Sequence, residues 1–358
     1  MLPLSHRLSS NAEAPKSMMK RKAGSTCFYQ IHAIASKTPH WVAFALIATC
    51  LCAAPARAAG TKGKAASSTP KVRLVPHDKS IDVEIDGKIF TTYHFADDFI
   101  LPAVRPFFYP ALAADGTEMT IDHAQHPPLH AYQRSIWVGA GNVNGADHWK
   151  FKARPLPKQR HIKFEYVHGD GFQEELVWED AKGGPMLNEV RTVQFVAYSD
   201  GARQINFELR FMPVDKDVTF FNTADNGLLS VRPNPEIAGN PEFTAADGAT
   251  ECNHHTTWCD ESGKVNGKTY GIAIFDDPHN PRNPPLWHAG KDARLATDIF
   301  IPRPDYKRGD PDQHAGDFTI KLGQTVSFRY GMLFHAGDAD AARLKQRYEE
   351  FIARDARK

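Results

Sequence analysis

Gln204-Ile205-Asn206-Phe207-Glu208-Leu209-Arg210-Phe211-Met212 alternates polar and apolar residues without a break. In an extended chain Ile205, Phe207, Leu209 and Phe211 fall on one side and Gln204, Asn206, Glu208 and Arg210 on the other. That is the period of a strand with one face in a core and one in water. Upstream, Ser199-Asp200-Gly201 supplies a turn and Leu187 to Tyr198 reads as the partner strand. Further out, Ile81 to Ile85 and Ile89 to Phe95 flank Asp86-Gly87, a hairpin signature. His161 to Val167, Glu174 to Trp178 and the apolar run Tyr270 to Phe275 add strands, and Phe318 to Leu322 with Thr325 to Phe334 reads as a last hairpin. Strands joined by short turns predict an all-β fold, an antiparallel β-sandwich. One helix closes the chain over 338–355, with Asp338 as its cap and Leu344, Tyr348, Phe351 and Ile352 as its apolar stripe. A single domain over 71–358 is expected.

The N-terminal residues read as an address. Lys20, Arg21 and Lys22 precede an apolar run from Trp41 to Ala54, and Ala56 and Ala58 form an A-x-A cleavage site. Residues 1–58 are therefore read as presequence and signal peptide, and 59–70 as a flexible leader. The alternative, an uncleaved anchor, needs about 20 apolar residues, more than this run supplies. A periplasmic or secreted location follows, with membrane contact only in transit. Formal net charge is +1, from 43 basic and 42 acidic residues, so no field draws the chain to nucleic acid. Cys252 and Cys259 are the cysteines outside the presequence, and an even pair in an exported chain predicts a disulfide. A metal site with His254 and His255 is the alternative, and it matches no zinc spacing well.

Two long segments, Asp97 to Gln133 and Thr223 to Thr269, break the strand pattern and read as irregular rims. The densest polar stretch holds His123, His126, His130, Arg134, Trp137, Asn144, Asp147 and Trp149. Hydrogen-bonding groups, an arginine and tryptophans in one stretch suit a sugar, whose hydroxyls need polar partners and whose C–H faces stack on rings. The alternative makes Asn144-Gly145 a plain turn and puts Trp137 and Trp149 in the core. A metal at His123, His126 and His130 is a further alternative, weakened by prolines and by the lack of helical register. Glu189 and Arg191 share a strand face with Val193 and Phe195, where two charges need pairing or a groove. They read as a catalytic carboxylate oriented by its arginine or as a self-satisfying pair. A proline-stiffened loop from Asp276 to His288 carries Arg282, Trp287 and His288.

Several of these pieces resemble, in order, the PmoA-like family named after a methane oxygenase. They are Arg134-Ser-Ile-Trp137, Val143 to Trp149, Glu189-x-Arg191, Gly271 to Asp276, Asn280-Pro-Arg282 to Trp287-His288, and Phe334 to Asp338. The family carries a His-His pair where this chain has Tyr132-Gln133. No long apolar run follows Ala59, so the chain is not an integral membrane oxygenase subunit. The resemblance implies an exported β-sandwich with relatives among carbohydrate-degrading functions, similar to the mutarotase-like supersandwich with its sugar-binding groove.

The expectation is a protein that binds a carbohydrate and acts on it by hydrolysis, elimination or epimerisation at a sugar ring. His130 and His288 would exchange protons and Glu189 would be a carboxylate base. Arg134, Arg191 and Arg282 would hold polar groups, Asn144 and Asp147 would bind substrate, and Trp137, Trp149 and Trp287 would stack. No metal or other cofactor is called for. A non-catalytic sugar-binding module and a structural envelope protein are the alternatives.

Overall fold

The alternating stretch at 204–212 lies in a strand, Arg203–Pro213, whose Ile205, Phe207, Leu209 and Phe211 are buried while Asn206, Glu208 and Arg210 are half-buried. The computed structural model describes residues 70–96, 105–122, 132–150, 155–223, 227–290, 294–300 and 313–354. The expected presequence, nearly all of the leader, and His123, His126 and His130 lie outside the described residues.

In chain order the strands are β1 (Val72–Pro76), β2 (Ser80–Ile85), β3 (Lys88–His94), β4 (Phe107–Ala111), β5 (Ile136–Val138), β6 (Lys158–His168), β7 (Gly171–Glu179), β8 (Pro185–Ala197), β9 (Arg203–Pro213), β10 (Val218–Phe220) and β11 (Leu229–Val231). A short helix α1 (Pro235–Gly239) follows, then β12 (Glu242–Ala245), β13 (Trp258–Val265), β14 (Lys268–Asp276), β15 (Leu286–Gly290), β16 (Arg294–Asp298), β17 (Phe318–Ile320), β18 (Val326–Ala336) and α2 (Leu344–Ala353). The first sheet runs β1-β2-β3-β4-β5-β11-β16-β15, the second β12-β13-β14-β18-β9-β8-β7-β6, and β10 pairs with β17. The fold is the expected antiparallel β-sandwich with a C-terminal helix. Asp86 and Gly87 turn β2 into β3 with φ of 52° and 75°, the left-handed pair that a tight hairpin requires.

The two sheets meet through aromatic rings. Phe90 of the first sheet lies 6.5 Å from Phe195 and 5.6 Å from Phe334 of the second. Tyr93 stacks on Phe172 at 4.8 Å, and Phe108 meets Phe207 edge-on at 5.8 Å. Each such buried side chain contributes roughly 1.5–3 kcal/mol from removed apolar area.

Three expectations need correction. Residues 318–334 do not form a hairpin: β17 pairs with β10, while β18 pairs with β14 and β9. Val218, Phe220 and Ile320 are buried there, and that pairing covers them. The last helix starts at Leu344, because Arg343 sits at a left-handed φ of 55° and interrupts the helical path. Asp338 caps a preceding turn instead, accepting from the Ala341 amide at 2.9 Å. The segment 223–269 is not irregular throughout: it contains β11, α1, β12 and the eight-residue β13.

Charged residues enter the core where β7 and β8 face the first sheet. Glu189 accepts from Arg191 Nε and from Trp178 Nε1, each at 2.7 Å. Arg191 also donates to Tyr93 Oη at 3.1 Å; the Tyr93 hydroxyl donates to Glu174, which His161 meets at 2.6 Å. Burial pushes Arg191 toward deprotonation, and Glu189, Tyr93 and Glu174 outweigh that and hold its guanidinium above its ordinary range. Burial, with Glu174 beside it, raises the Tyr93 phenol. Removing one member of such a network strands buried charge. Arg191→Met is expected to cost about 3–5 kcal/mol in urea unfolding, partly recovered by adding Glu189→Gln. A loss under 1 kcal/mol with no recovery, on the same scale, would contradict this.

Glu261 of β13 is also fully buried, with neither carboxylate oxygen hydrogen-bonded. Burial, reinforced by Asp260, raises its carboxyl to about 8. The folded state thus keeps a proton that the unfolded chain releases above about pH 4.5, so the contribution of Glu261 to stability declines as pH rises toward 8. Glu261→Gln is expected to leave stability near pH 5 almost unchanged and to flatten most of the decline to pH 8. Asp276, raised to about 7 chiefly by burial, adds a decline of the same sign, while His148, lowered to about 3 chiefly by burial, opposes both below about pH 6.5. An unchanged slope for Glu261→Gln would contradict the assignment.

Candidate functional site

Strands β5 and β11 have three residues each, all buried, so both faces of the first sheet are covered at its centre. Residues opposite one another in neighbouring strands point to the same face. One row crosses the sheet as Tyr93, Phe108, Ile136, Val231, Leu295 and Ala289, and it faces the sandwich core. The adjacent row is His94, Phe107, Trp137, Ser230, Ala296 and His288, on the outer face. Six strands remote in sequence thereby present one polar and aromatic surface.

The segment 141–150 folds over this row. Asn144, at φ 48°, donates to the Asp217 carbonyl and accepts from the Thr219 amide, each at 2.9 Å, which fastens the turn to β10. Asp147 accepts from the amides of Trp149 and Lys150 at 2.8 and 2.9 Å, and so sets Trp149 against Trp137 with ring centroids 5.4 Å apart. Gly139 is required at the junction, because a Cβ there would lie 2.9 Å from both Arg105 Nη1 and the His148 carbonyl. Tyr109 and Tyr132 pack on Phe107, Trp137 and Trp149. Gln133, beside Tyr132, is buried.

Cations surround the rings. Arg105 donates to the carbonyls of His148, Trp149 and Tyr132, and its guanidinium lies 5.4 Å from the Trp137 ring and 6.0 Å from the Trp149 ring. Burial, then the neighbouring Arg134 charge, lower it to about 9. Arg134 forks onto both oxygens of Asp122 and lies 4.0 Å over Phe107. Arg294 sits 5.4 Å from Trp149. His94 stacks on Phe107 at 4.8 Å and meets the Tyr109 carbonyl at 2.9 Å, and burial lowers its pKa. His288 Nε2 lies 2.8 Å from Asp298 Oδ2, and Asp298 also accepts from the Phe300 amide at 2.9 Å. The imidazole is 12% exposed while its carboxylate is fully buried, the asymmetry of a proton-exchanging ring held by an orienting group.

Among the residues expected at a site, Arg134, Trp137, Trp149 and His288 share this face, and Asp147 builds its cover. The remainder lie elsewhere. Glu189 and Arg191 are sealed between the sheets, where Glu189 accepts from Arg191 and Trp178, Arg191 donates to Tyr93, and Arg191 Nη2 is left without a partner among the described residues; neither is open to a substrate there. Arg282 spends its donors on the carbonyls of Ile299, Gly316 and Asp317, so it is a loop brace. Asn144 is likewise a turn residue. Trp287 points to the core face, donating to the Thr256 carbonyl at 2.7 Å, because neighbours along a strand face opposite ways. Trp137, Trp149 and Trp287 are at most 1% exposed, so none offers an open stacking face. His130 lies outside the described residues. Sequence reading missed His94, Arg105, Ser230, Arg294 and Asp298; strand register reveals four of them, and Arg105 is placed by its bonds to the His148, Trp149 and Tyr132 carbonyls.

The disulfide between Cys252 and Cys259 is present. Its loop grips the edge strand β15: Asn253 accepts from the Ala289 amide at 3.2 Å, His255 Nδ1 meets the Pro284 carbonyl at 2.8 Å, and Thr256 receives the Trp287 indole. Among the described residues no helix is long and apolar enough to cross a membrane.

A protein-family model described as a family of unknown function, DUF6807, matches residues 80–349. The chain belongs to DUF6807. No curated protein matches it. Solved structures similar to this DUF6807 chain include a galactose mutarotase related enzyme from Lactobacillus acidophilus. That protein is 9% identical with a TM-score of 0.36, and the match covers 74% of this chain and 97% of the other. A galactose 1-epimerase from Lactobacillus acidophilus NCFM is 7% identical with a TM-score of 0.35, covering 75% and 100%. A GalM/aldose epimerase homologue from C. elegans is 8% identical with a TM-score of 0.32, covering 75% and 100%. At these TM-scores neither activity nor substrate passes from them to DUF6807.

Reducing the disulfide, or replacing both cysteines by serine, is expected to speed amide exchange in β15 by ~10-fold or more and leave β9 unchanged. Equal acceleration in both strands would show that the loop supports the whole sandwich and not this edge.

Proposed function

We propose that this chain is an exported protein that binds a carbohydrate on the outer face of the first sheet and acts on it at a sugar ring. The observation that carries the reading is the register row from His94 to His288. It brings two imidazoles, a hydroxyl and aromatic rings from six strands onto one face, where Asp298 pairs with His288 and Arg105, Arg134 and Arg294 lie against the rings. Such a set matches a ligand rich in hydroxyls and C–H faces. Arg134, Trp137, Trp149 and His288 come from stretches that resemble the PmoA-like family, which supports the same reading. Export is supported by the disulfide and by the signal-like N-terminal sequence.

In this reading His288 exchanges a proton with the ligand, and Asp298 fixes the ring and stabilises its protonated form. Hydrolysis, elimination and epimerisation all use such a step. Half-buried His94, Tyr109, Tyr132, His288 and Arg294 form the accessible rim.

The test begins with thermal-shift screening of oligosaccharides, since a ligand selective for the native state raises its stability. Turnover of the best ligand by His288→Ala and Asp298→Asn follows. His288→Ala is expected to lower kcat by about 10²–10⁴ while the ligand-induced Tm shift persists. Unchanged turnover in both variants would remove His288 from the chemistry, and the absence of any sugar-induced shift would remove the carbohydrate.

A further inference from the structure

The geometry points to a second ligand site, a cleft under the last helix that takes a small zwitterion, an α-amino acid with an apolar side chain. The cleft has a volume of about 500 Å³, within the ~300–1,000 Å³ of small-molecule sites. It lies between the end of β12 with its following turn and the first turn of α2. Trp258, Ala339 and Leu344 form its apolar wall and belong to the cluster on which α2 packs. Trp258 is 7% exposed, and its indole N–H makes no hydrogen bond among the described residues. That N–H is not sealed, as those of Trp137 and Trp149 are. Trp178 and Trp287 complete theirs inside the fold, on Glu189 and on the Thr256 carbonyl. An indole N–H only donates, so what completes Trp258 is an acceptor that enters the cleft.

Further donors line the same cleft. Helix α1 is capped by Asn234, which accepts from the Glu236 amide, whereas α2 has no side-chain cap. Its N-cap residue is Arg343, which carries no acceptor and donates to Asp200 at 3.0 Å. The amides of Lys345 and Gln346 therefore have no partner among the described residues, and both residues line the cleft. Unpaired amides at the positive end of a helix, with the Lys345 ammonium and the Trp258 N–H, suit a carboxylate. Asp340 and Glu349 also line the cleft, and neither forms an ion pair among the described residues. They suit an ammonium. A plain acid would leave these two carboxylates unmatched, and a neutral sugar would leave both sets of charges so. An amino acid meets both, and its apolar side chain finds Trp258 and Leu344.

Isothermal titration of the whole protein with phenylalanine and leucine tests this, beside phenylalaninamide, N-acetylphenylalanine, acetate and maltotriose. Both amino acids are expected to bind, and blocking either charged end of phenylalanine to weaken it ~10-fold or more. Trp258→Phe keeps a ring and removes the N–H, and is expected to weaken phenylalanine ~5-fold or more. Lys345→Gln, on an exposed residue, is expected to weaken it as well. Circular dichroism confirms the fold of each variant, and Lys345→Gln stands in if Trp258→Phe misfolds. No binding of either amino acid would overturn the site. Phenylalaninamide binding as tightly as phenylalanine would overturn the carboxylate seat, and N-acetylphenylalanine doing so would overturn the ammonium seat. Acetate matching phenylalanine, or maltotriose displacing it, would overturn the amino-acid assignment, and full affinity in both variants would overturn the cleft as its place.

Discussion

Three-residue strands buried on both faces are the constraint on which this molecule is arranged. Ile136–Val138 and Leu229–Val231 join the hairpin half of the first sheet, β1 to β4, to its distal pair, β16 and β15. Their inner residues pack against the second sheet, and their outer residues cannot be left to water without exposing Trp137 and Phe107. The chain covers that outer face with the 141–150 turn and with Arg105 and Arg134, so polar groups of several remote segments are carried onto one surface. Site and cover have the same physical origin.

A second polar assembly must not be confused with the first. Glu189, Arg191, Glu174 and Tyr93 form a buried network that fastens β7 and β8 to β3 across the sandwich. Its members bond chiefly to one another, with Arg191 Nη2 left over among the described residues, and their energetic role is specificity of docking, since an apolar replacement of the set could be equally stable. Ser262, Asp260 and His335 make a comparable buried cluster on the second sheet, with Asp260 accepting from Ser262 Oγ at 2.6 Å and meeting His335 Nε2 at 2.9 Å. Gly271 leaves room for it, as a Cβ there would lie 2.3 Å from the His335 ring. The carboxylate sits between hydroxyl and imidazole, so the serine is not placed to be activated by the histidine.

Much of this was legible in the sequence where one period dominated. The alternation of 204–212, the Asp86-Gly87 turn, the shared face of Glu189 and Arg191, and the cysteine pair all correspond to what the fold contains. Strand β13 was not legible, because Asp260, Glu261 and Ser262 are polar residues buried on both faces and carry no hydrophobic period. The partner of β17 is a matter of long-range pairing that a turn at Gly323 could not announce. Trp287 and His288 were read together as loop residues, whereas their place in a strand sends them to opposite faces. Asp298 was missed because its meaning depends on His288 one strand away. Site composition was partly visible; its convergence required register.

The most direct test of the outer face as the ligand site is an indole N–H spectrum of ¹⁵N-labelled protein titrated with the oligosaccharide that raises its Tm most. Trp137 and Trp149 are predicted to shift strongly and to gain protection from exchange, while Trp178 and Trp287, bonded inside the protein, stay in place. Trp258 lines a separate cleft of about 500 Å³ against α2 and serves as the internal alternative. Shifts confined to Trp258, with Trp137 and Trp149 unmoved, would contradict the account.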